Sequence, residues 1–190
     1  MPMPLKITPL EIPEVKLIET GLIKDDRGWF AETYSAKVLA SHDFDEGFQQ
    51  DNLSLSRKGT LRGLHYQIEP HGMGKLVRVL SGSAFDVAVD IRRGSPTFGK
   101  WVGRVLTMEN RSALWVPAGF AHGFLALEDD TLLFYKCTTT HTPESERAIN
   151  YADPAIGIEW PIAPSLFAPK DLAAPPLATA DYNFQYVAPT

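Results

Sequence analysis

Residues 59–67, GTLRGLHYQ, have the composition of a β-strand, yet an arginine and a histidine stand where a core strand would hold leucine or valine. Strict alternation places Leu61, Gly63, His65 and Gln67 on one face and Arg62, Leu64 and Tyr66 on the other. Three further polar residues interrupt apolar runs. Lys75 opens the run LVRVL, His122 sits inside PAGFAHGF, and Tyr135 follows TLLF, so that its ring is expected to be buried and its hydroxyl to need a partner. An imidazole titrates near neutrality and serves either proton transfer or metal ligation. Taken singly, each residue has an ordinary structural reading: a satisfied core histidine, a strand-end lysine with its charge in water, a core aromatic. Convergence changes that reading. The inside of a small barrel gathers inward-facing residues from many strands into one cavity, and polar groups buried there must be paired or used.

Metal ligation requires closer spacing than this chain offers. A metal-binding barrel of this kind wants His-x-His on one strand, a glutamate a few residues on, and a later histidine. Here His65 is followed by Tyr66 and Gln67, His71 is six residues on in EPHGMGK, and no pair among His65, His71, His122 and His141 has i, i+2 spacing. No metal is expected.

The elements that must carry these residues are short runs rich in Val, Leu, Phe and Trp and broken by turn residues. Strands are expected over 15–23, 60–67, 75–92, 101–108, 112–128 and 131–140, with hairpin turns at Ser81-Gly82-Ser83 and Asp129-Asp130 and a turn-rich loop over 92–99. Short helices are expected at 35–44 and near 165–172. Many closely spaced strands without intervening helices predict an all-β sandwich or barrel. From about residue 150 the chain becomes proline-rich, which reads as an ordered strap over a single domain spanning 1–190.

At 190 residues, 44% hydrophobic and 22% charged, the chain is long enough for one sizeable core and is not disordered by composition. A net charge of -5 argues against non-specific binding to nucleic acid or to a membrane surface. The single cysteine, Cys137, excludes an intrachain disulfide, and neither a signal-like start nor a membrane-length apolar run is present. A soluble cytoplasmic protein is expected.

Seven blocks in order, DDRGWFAETY (25–34), FQQDNLSLSRKGTLRGLHYQ (48–67), GKLVRVLSGSAFDVAVDIRRGSPTFGKW (74–101), WVPAGFAHGF (115–124), FYKCT (134–138), PESERAINYADPAIGIEWP (143–161) and KDLAAP (170–175), resemble the dTDP-4-dehydrorhamnose 3,5-epimerase family over nearly the whole chain. The resemblance implies a cupin-type jelly roll that works as a homodimer with neither metal nor organic cofactor. It implies inversion of C3 and C5 of dTDP-4-dehydro-6-deoxy-D-glucose. Both carbons lie α to the C4 ketone, so their protons leave only if the enolate is stabilised. A base, a group facing the ketone oxygen and an acid on the opposite ring face are the minimum set.

By the same resemblance His65 is the base and Asp171 its orienting carboxylate, Lys75 stabilises the oxyanion, and Tyr135 returns a proton from the other face. Arg62 matches a diphosphate contact, although alternation turns it away from His65; use on a neighbouring subunit's ligand, a twist or a bulge would reconcile the two. Arg27, Phe30 and Glu32, then Gln50, Asp51 and Asn52, then His122, Glu146 and Lys170 match other substrate contacts, with Phe30 packing on the base. His141 stands where the family carries a tyrosine stacked on thymine, and Met73 where glutamine is common. A mono-epimerase or ketoisomerase on a related nucleotide keto-sugar, and a non-catalytic sugar-nucleotide-binding cupin, are the competing readings.

Overall fold

The computed structural model describes residues 4–188. The strands are β1 (Leu5–Pro9), β2 (Lys16–Thr20), β3 (Ile23–Asp25), β4 (Gly28–Phe30), β5 (Gln50–Ser56), β6 (Leu61–Gln67), β7 (Lys75–Ser81), β8 (Ser83–Asp90), β9 (Trp101–Thr107), β10 (Ser112–Val116), β11 (Phe120–Ala126), β12 (Thr131–Cys137) and β13 (Glu146–Ala148). Two short helices accompany them, α1 (Ala36–Ala40) and α2 (Pro169–Leu172). A six-stranded sheet, β1-β2-β10-β7-β12-β5, faces a five-stranded sheet, β13-β6-β11-β8-β9, and β3-β4 forms a separate hairpin. This is the all-β double-sheet architecture that the strand spacing predicts and the cupin-like fold that the family resemblance implies.

The sequence periodicity explains both layers. Along β7 and β12, Val77, Val79 and Leu133 turn inward to meet Ala84, Ala88, Phe120 and Phe124 of the facing sheet, and this interlayer core is almost wholly excluded from water. Each buried Val, Leu or Phe among them contributes about 1.5–3 kcal/mol, and each alanine less. The outer face of the six-stranded sheet is covered around Ile18, Leu76 and Trp115 by the segment carrying Leu39 and Phe44. The outer face of the five-stranded sheet is covered by the proline-rich strap, through Ile156, Leu177 and Phe184 against Tyr66, Val87 and Val89.

Several expected runs are shorter or divided. The run over 112–128 splits into β10 and β11 because Pro117 has no N–H to donate and Gly119 turns at φ +91°. The run over 75–92 divides at Gly82, φ +72°, as the turn chemistry predicts. The 15–23 run ends at Thr20 before the β3-β4 hairpin. The helix expected over 35–44 is only α1, and Asp43 lies past its end at φ +56°. Near 165–172 only 169–172 is helical, because residues 165 and 166 bond the backbone of Gly59. β1, β5, β13 and the hairpin were not among the expected strands.

Candidate active site

At one end of the sandwich the inward positions change from apolar to polar. On the six-stranded sheet, the paired positions run from Val79 and Leu133, through Val77 and Tyr135, to Lys75 and Cys137. Opposite them, His65 on β6 and His122 on β11 are direct cross-strand partners. β5 alternates in the same sense: Asn52 and Ser54 are half-buried, whereas Leu53 and Leu55 face outward. The result is a cavity of about 480 Å³ bounded by Arg62, His65, Lys75, His122, Tyr135 and Asp171, among others. It adjoins a hollow of about 300 Å³ that shares His65, Lys75, Tyr135 and Glu146 and reaches Gln50, Asn52 and His141. This is the size range of small-molecule sites.

His65 Nε2 lies 2.6 Å from Asp171 Oδ1, and the carboxylate is 1% exposed. The strap delivers it. Ser165 and Leu166 donate their N–H groups to the Gly59 carbonyl, and Leu61 donates to Leu166, so the strap is stitched to the entry of β6. Pro169 then starts α2, where a missing N–H costs nothing, and Asp171 follows within the first turn. With Nε2 committed to the carboxylate, Nδ1 is the nitrogen left to take a proton.

Simple alternation fails for Arg62, for a visible reason. Between His122/His65 and Phe124/Arg62 the pairing shifts by one residue, so β6 carries an extra residue and Arg62 and His65 line the same cavity. Gly63 sits in this irregularity at φ +126°, and a Cβ there would come within 2.5 Å of the Gly123 Cα. Arg62 is held by its Nε donating to Ser56 Oγ at 3.1 Å and its Nη2 donating to the Leu55 carbonyl at 3.2 Å.

Lys75 is buried, and loss of water pulls its ammonium below the usual lysine range, while Cys137, Asp86 and Glu146 work the other way. Its Nζ donates to the His65 carbonyl at 3.4 Å. Burial pushes the Tyr135 phenol up, and the neighbouring Asn52 amide and Arg62 charge offset part of that rise. His122 Nε2 is 2.8 Å from the fully buried Asp86, and burial depresses this imidazole despite that carboxylate. Burial raises Glu146, but the bond from Lys170 at 3.0 Å and the nearby charges of His65 and His141 hold it below the usual carboxylate value.

Gln50, Asn52, His122, His141, Glu146 and Lys170 therefore gather around the four expected catalytic groups. His141 donates its backbone N–H to Gln50 Oε1 at 2.8 Å. Four expected substrate residues lie elsewhere in this chain. Arg27 and Phe30 are on the exposed hairpin, with Arg27 paired to Asp25 at 2.6 Å, so Phe30 does not pack on His65 here. Glu32 borders a small hollow with Thr20, Tyr34 and Leu39. Asp51 points to the outer face and pairs with Lys136 at 2.8 Å, because alternation along β5 separates it from Gln50 and Asn52.

Sequence reasoning missed Asp86, Ser54, Ser56 and Phe167. Asp86 was legible in AFDVAVD, where alternation puts an acid among inward alanines. Among the described residues, no group of three or more His, Cys, Asp or Glu side chains is placed to hold a metal ion.

A carboxylate-paired imidazole on one sheet, facing a buried lysine and a half-buried phenol on the other, inside a cupin-like double sheet, defines an acid–base isomerase that works on an acidic carbon. The profile of the dTDP-4-dehydrorhamnose 3,5-epimerase family matches residues 9–179, and the chain belongs to that family. A dTDP-4-dehydrorhamnose 3,5-epimerase of Sinorhizobium fredii is 49% identical, covering 94% of this chain and 92% of its own. The crystal structure of a dTDP-6-deoxy-D-glucose-3,5-epimerase from Legionella pneumophila in complex with dTDP-4-keto-L-rhamnose superposes with a TM-score of 0.93 at 46% identity, covering 97% of this chain and 100% of that one. A 3'-monoepimerase from Streptomyces bikiniensis bound to dTDP-quinovose has a TM-score of 0.84 at 36% identity, covering 90% and 88%.

Proposed function

We propose that this protein is a dTDP-4-dehydrorhamnose 3,5-epimerase, an isomerase that converts dTDP-4-dehydro-6-deoxy-D-glucose to dTDP-4-dehydro-L-rhamnose for dTDP-L-rhamnose synthesis. The observation that carries the reading is the placement of His65 and Tyr135 on opposite sheets, both facing one cavity. His65, held by Asp171, takes the proton from the carbon beside the ketone, and the C–H electron pair becomes an enolate. Lys75 faces the developing oxyanion in a site shielded from water, where a charge acts most strongly. Tyr135 then gives its proton to the opposite face of the carbon, and the raised phenol pKa keeps that proton available at neutral pH. His65 and the tyrosinate exchange with solvent before the second carbon reacts.

Arg62, positioned by Ser56, suits the diphosphate through its planar fork. Gln50, Asn52, His141, Glu146 and Lys170 surround the remainder of the nucleotide sugar. The enzyme works as a cytoplasmic homodimer. Two exposed apolar regions support pairing: Leu53, Leu55 and Leu80 on the open outer face of the six-stranded sheet, and Ile23, Trp29 and Phe30 on the hairpin. A second subunit would also give Arg27, Phe30 and Glu32 a ligand to meet. Among the described residues no helix is long and apolar enough to cross a membrane.

Proton NMR of the product formed in deuterated buffer tests the reaction. Deuterium at both C3 and C5 is the expected outcome; label at one carbon only would make this a mono-epimerase, and unchanged substrate a binding protein.

A further inference from the structure

Asp86 has no role in the reaction just described, yet it is one of the most expensive residues in the protein. It is fully buried on β8, and while Oδ1 accepts from His122 Nε2 at 2.8 Å, Oδ2 is buried with no hydrogen-bond partner among the described residues. A carboxylate kept in that condition costs several kcal/mol unless something nearby needs it.

We infer that Asp86 is a positioning residue of the cavity: it fixes His122 as the Nε2–H tautomer, so that Nδ1 meets the substrate as a hydrogen-bond acceptor, and it balances the buried ammonium of Lys75. The geometry behind the first half is a diagonal pair. His122 stands opposite Ala88 and Asp86 opposite Phe124, so the carboxylate reaches the ring from behind while the ring borders the cavity. Neutral imidazole with Nε2 donating has an acceptor at Nδ1, which suits a sugar hydroxyl and leaves the ketone oxygen to Lys75. For the second half, Lys75 on β7 and Asp86 on β8 are both buried between the two facing sheets; the charges that act on the ammonium are Cys137 from β12, Asp86, Glu146 from β13 and Lys170 from α2, with the backbone of His65 in hydrogen-bond reach and His122 within electrostatic range. Asp86 is the fully buried carboxylate of this group, whereas Glu146 already serves Lys170.

The kinetic arm of the test rests on the epimerase reading; the spectroscopic arm does not. In protein labelled with ring-15N histidine, with His122 assigned by its loss in His122→Gln, Nε2 should resonate as a protonated nitrogen and Nδ1 as a bare one. The reverse pattern overturns the proposal, whether or not the enzyme turns over this sugar. In Asp86→Asn, which keeps an acceptor for Nε2–H and loses the charge, kcat should fall on the order of a hundredfold with KM little changed. The alkaline limb of kcat should also move to lower pH, because the Lys75 ammonium loses a stabilising neighbour. A variant that melts like the parent and keeps its kcat and its alkaline limb sinks the idea. If the variant fails to fold, the tautomer in the parent still decides.

Discussion

Asp86 and Asp90 stand four residues apart on β8, on the same inward face, and both are completely buried. Their surroundings differ. Asp90 accepts five hydrogen bonds: from the Arg92 backbone, from Arg92 Nε and Nη2, and from the hydroxyls of Ser95 and Thr97. Arg92 is in turn tied to Glu14 at 2.7 Å and lies over the rings of Phe120 and Tyr186. Asp86 accepts one bond and leaves an oxygen unmatched. A buried charge that is saturated by its own fold closes a corner of the structure. One that is undersupplied, beside a cavity whose lysine is also stripped of water, belongs to a region kept ready for something from outside. Two positions on one strand thus separate stability from chemistry.

Substitutions should obey that separation, and the largest effect lies at the cavity end. His65→Gln should lower kcat about a thousandfold while the melting temperature stays within a few degrees, because the amide can still donate to Asp171 and no core is opened. A large fall in melting temperature would place His65 among the structural residues instead. Lys75→Met should lower kcat about a hundredfold and yet raise stability by about 1 kcal/mol, since a similar-sized apolar chain replaces a dehydrated ammonium. The sign follows from the depressed lysine: its folded form resists charging, so it weakens the fold at every pH below the ordinary lysine value. Loss of both activity and stability would show that the charge is well matched in the fold.

Asp90→Asn should behave in the opposite way, losing about 2 kcal/mol of stability while the folded fraction keeps its kcat. Burial alone would raise the Asp90 carboxyl, but the bonds from Arg92, Ser95 and Thr97 outweigh it and hold it below the usual carboxylate value. A carboxyl depressed on folding lends stability that is present above its unfolded pKa of about 4 and fades as pH falls through the folded value. The gap in melting temperature between parent and variant should therefore narrow in acid. A gap that stays constant from neutral pH to pH 3 would mean that the charge of Asp90 contributes nothing.

The same contrast explains what could be read before the structure. The interlayer core was legible because Val77, Val79 and Leu133 alternate with period two, and the cavity groups were legible because His65, Lys75, His122 and Tyr135 break that pattern. Asp171 had no such signal: it sits in a four-residue helix of a proline-rich segment, and only the family resemblance pointed to it. Arg62 was turned the wrong way by strict alternation because a one-residue irregularity depends on the close approach of Gly63 to Gly123, which no periodicity reports. β5 escaped notice because its leucines face outward and its polar side chains inward, the reverse of an ordinary half-buried strand. Arg27, Phe30 and Glu32 share a motif with the family but not the cavity of their own chain, and a single sequence says nothing about which subunit's ligand a side chain meets.

Asp51 supplies the smallest effect and the control for the whole contrast. It is a third aspartate with a cationic partner, Lys136 at 2.8 Å, but its side chain is 52% exposed and points away from the cavity. Water screens that pair and competes for both charges, so Asp51→Asn should cost less than about 0.5 kcal/mol and leave kcat unchanged. Raising the salt concentration should remove even that difference, whereas the loss in Asp90→Asn should persist, because buried pairs are screened far less. Substrate titration of Asp51→Asn at low and high salt, alongside thermal melts, separates the cases: an altered KM would make Asp51 a ligand contact across a subunit boundary, and a large change in stability would mean that burial is not what divides these three carboxylates.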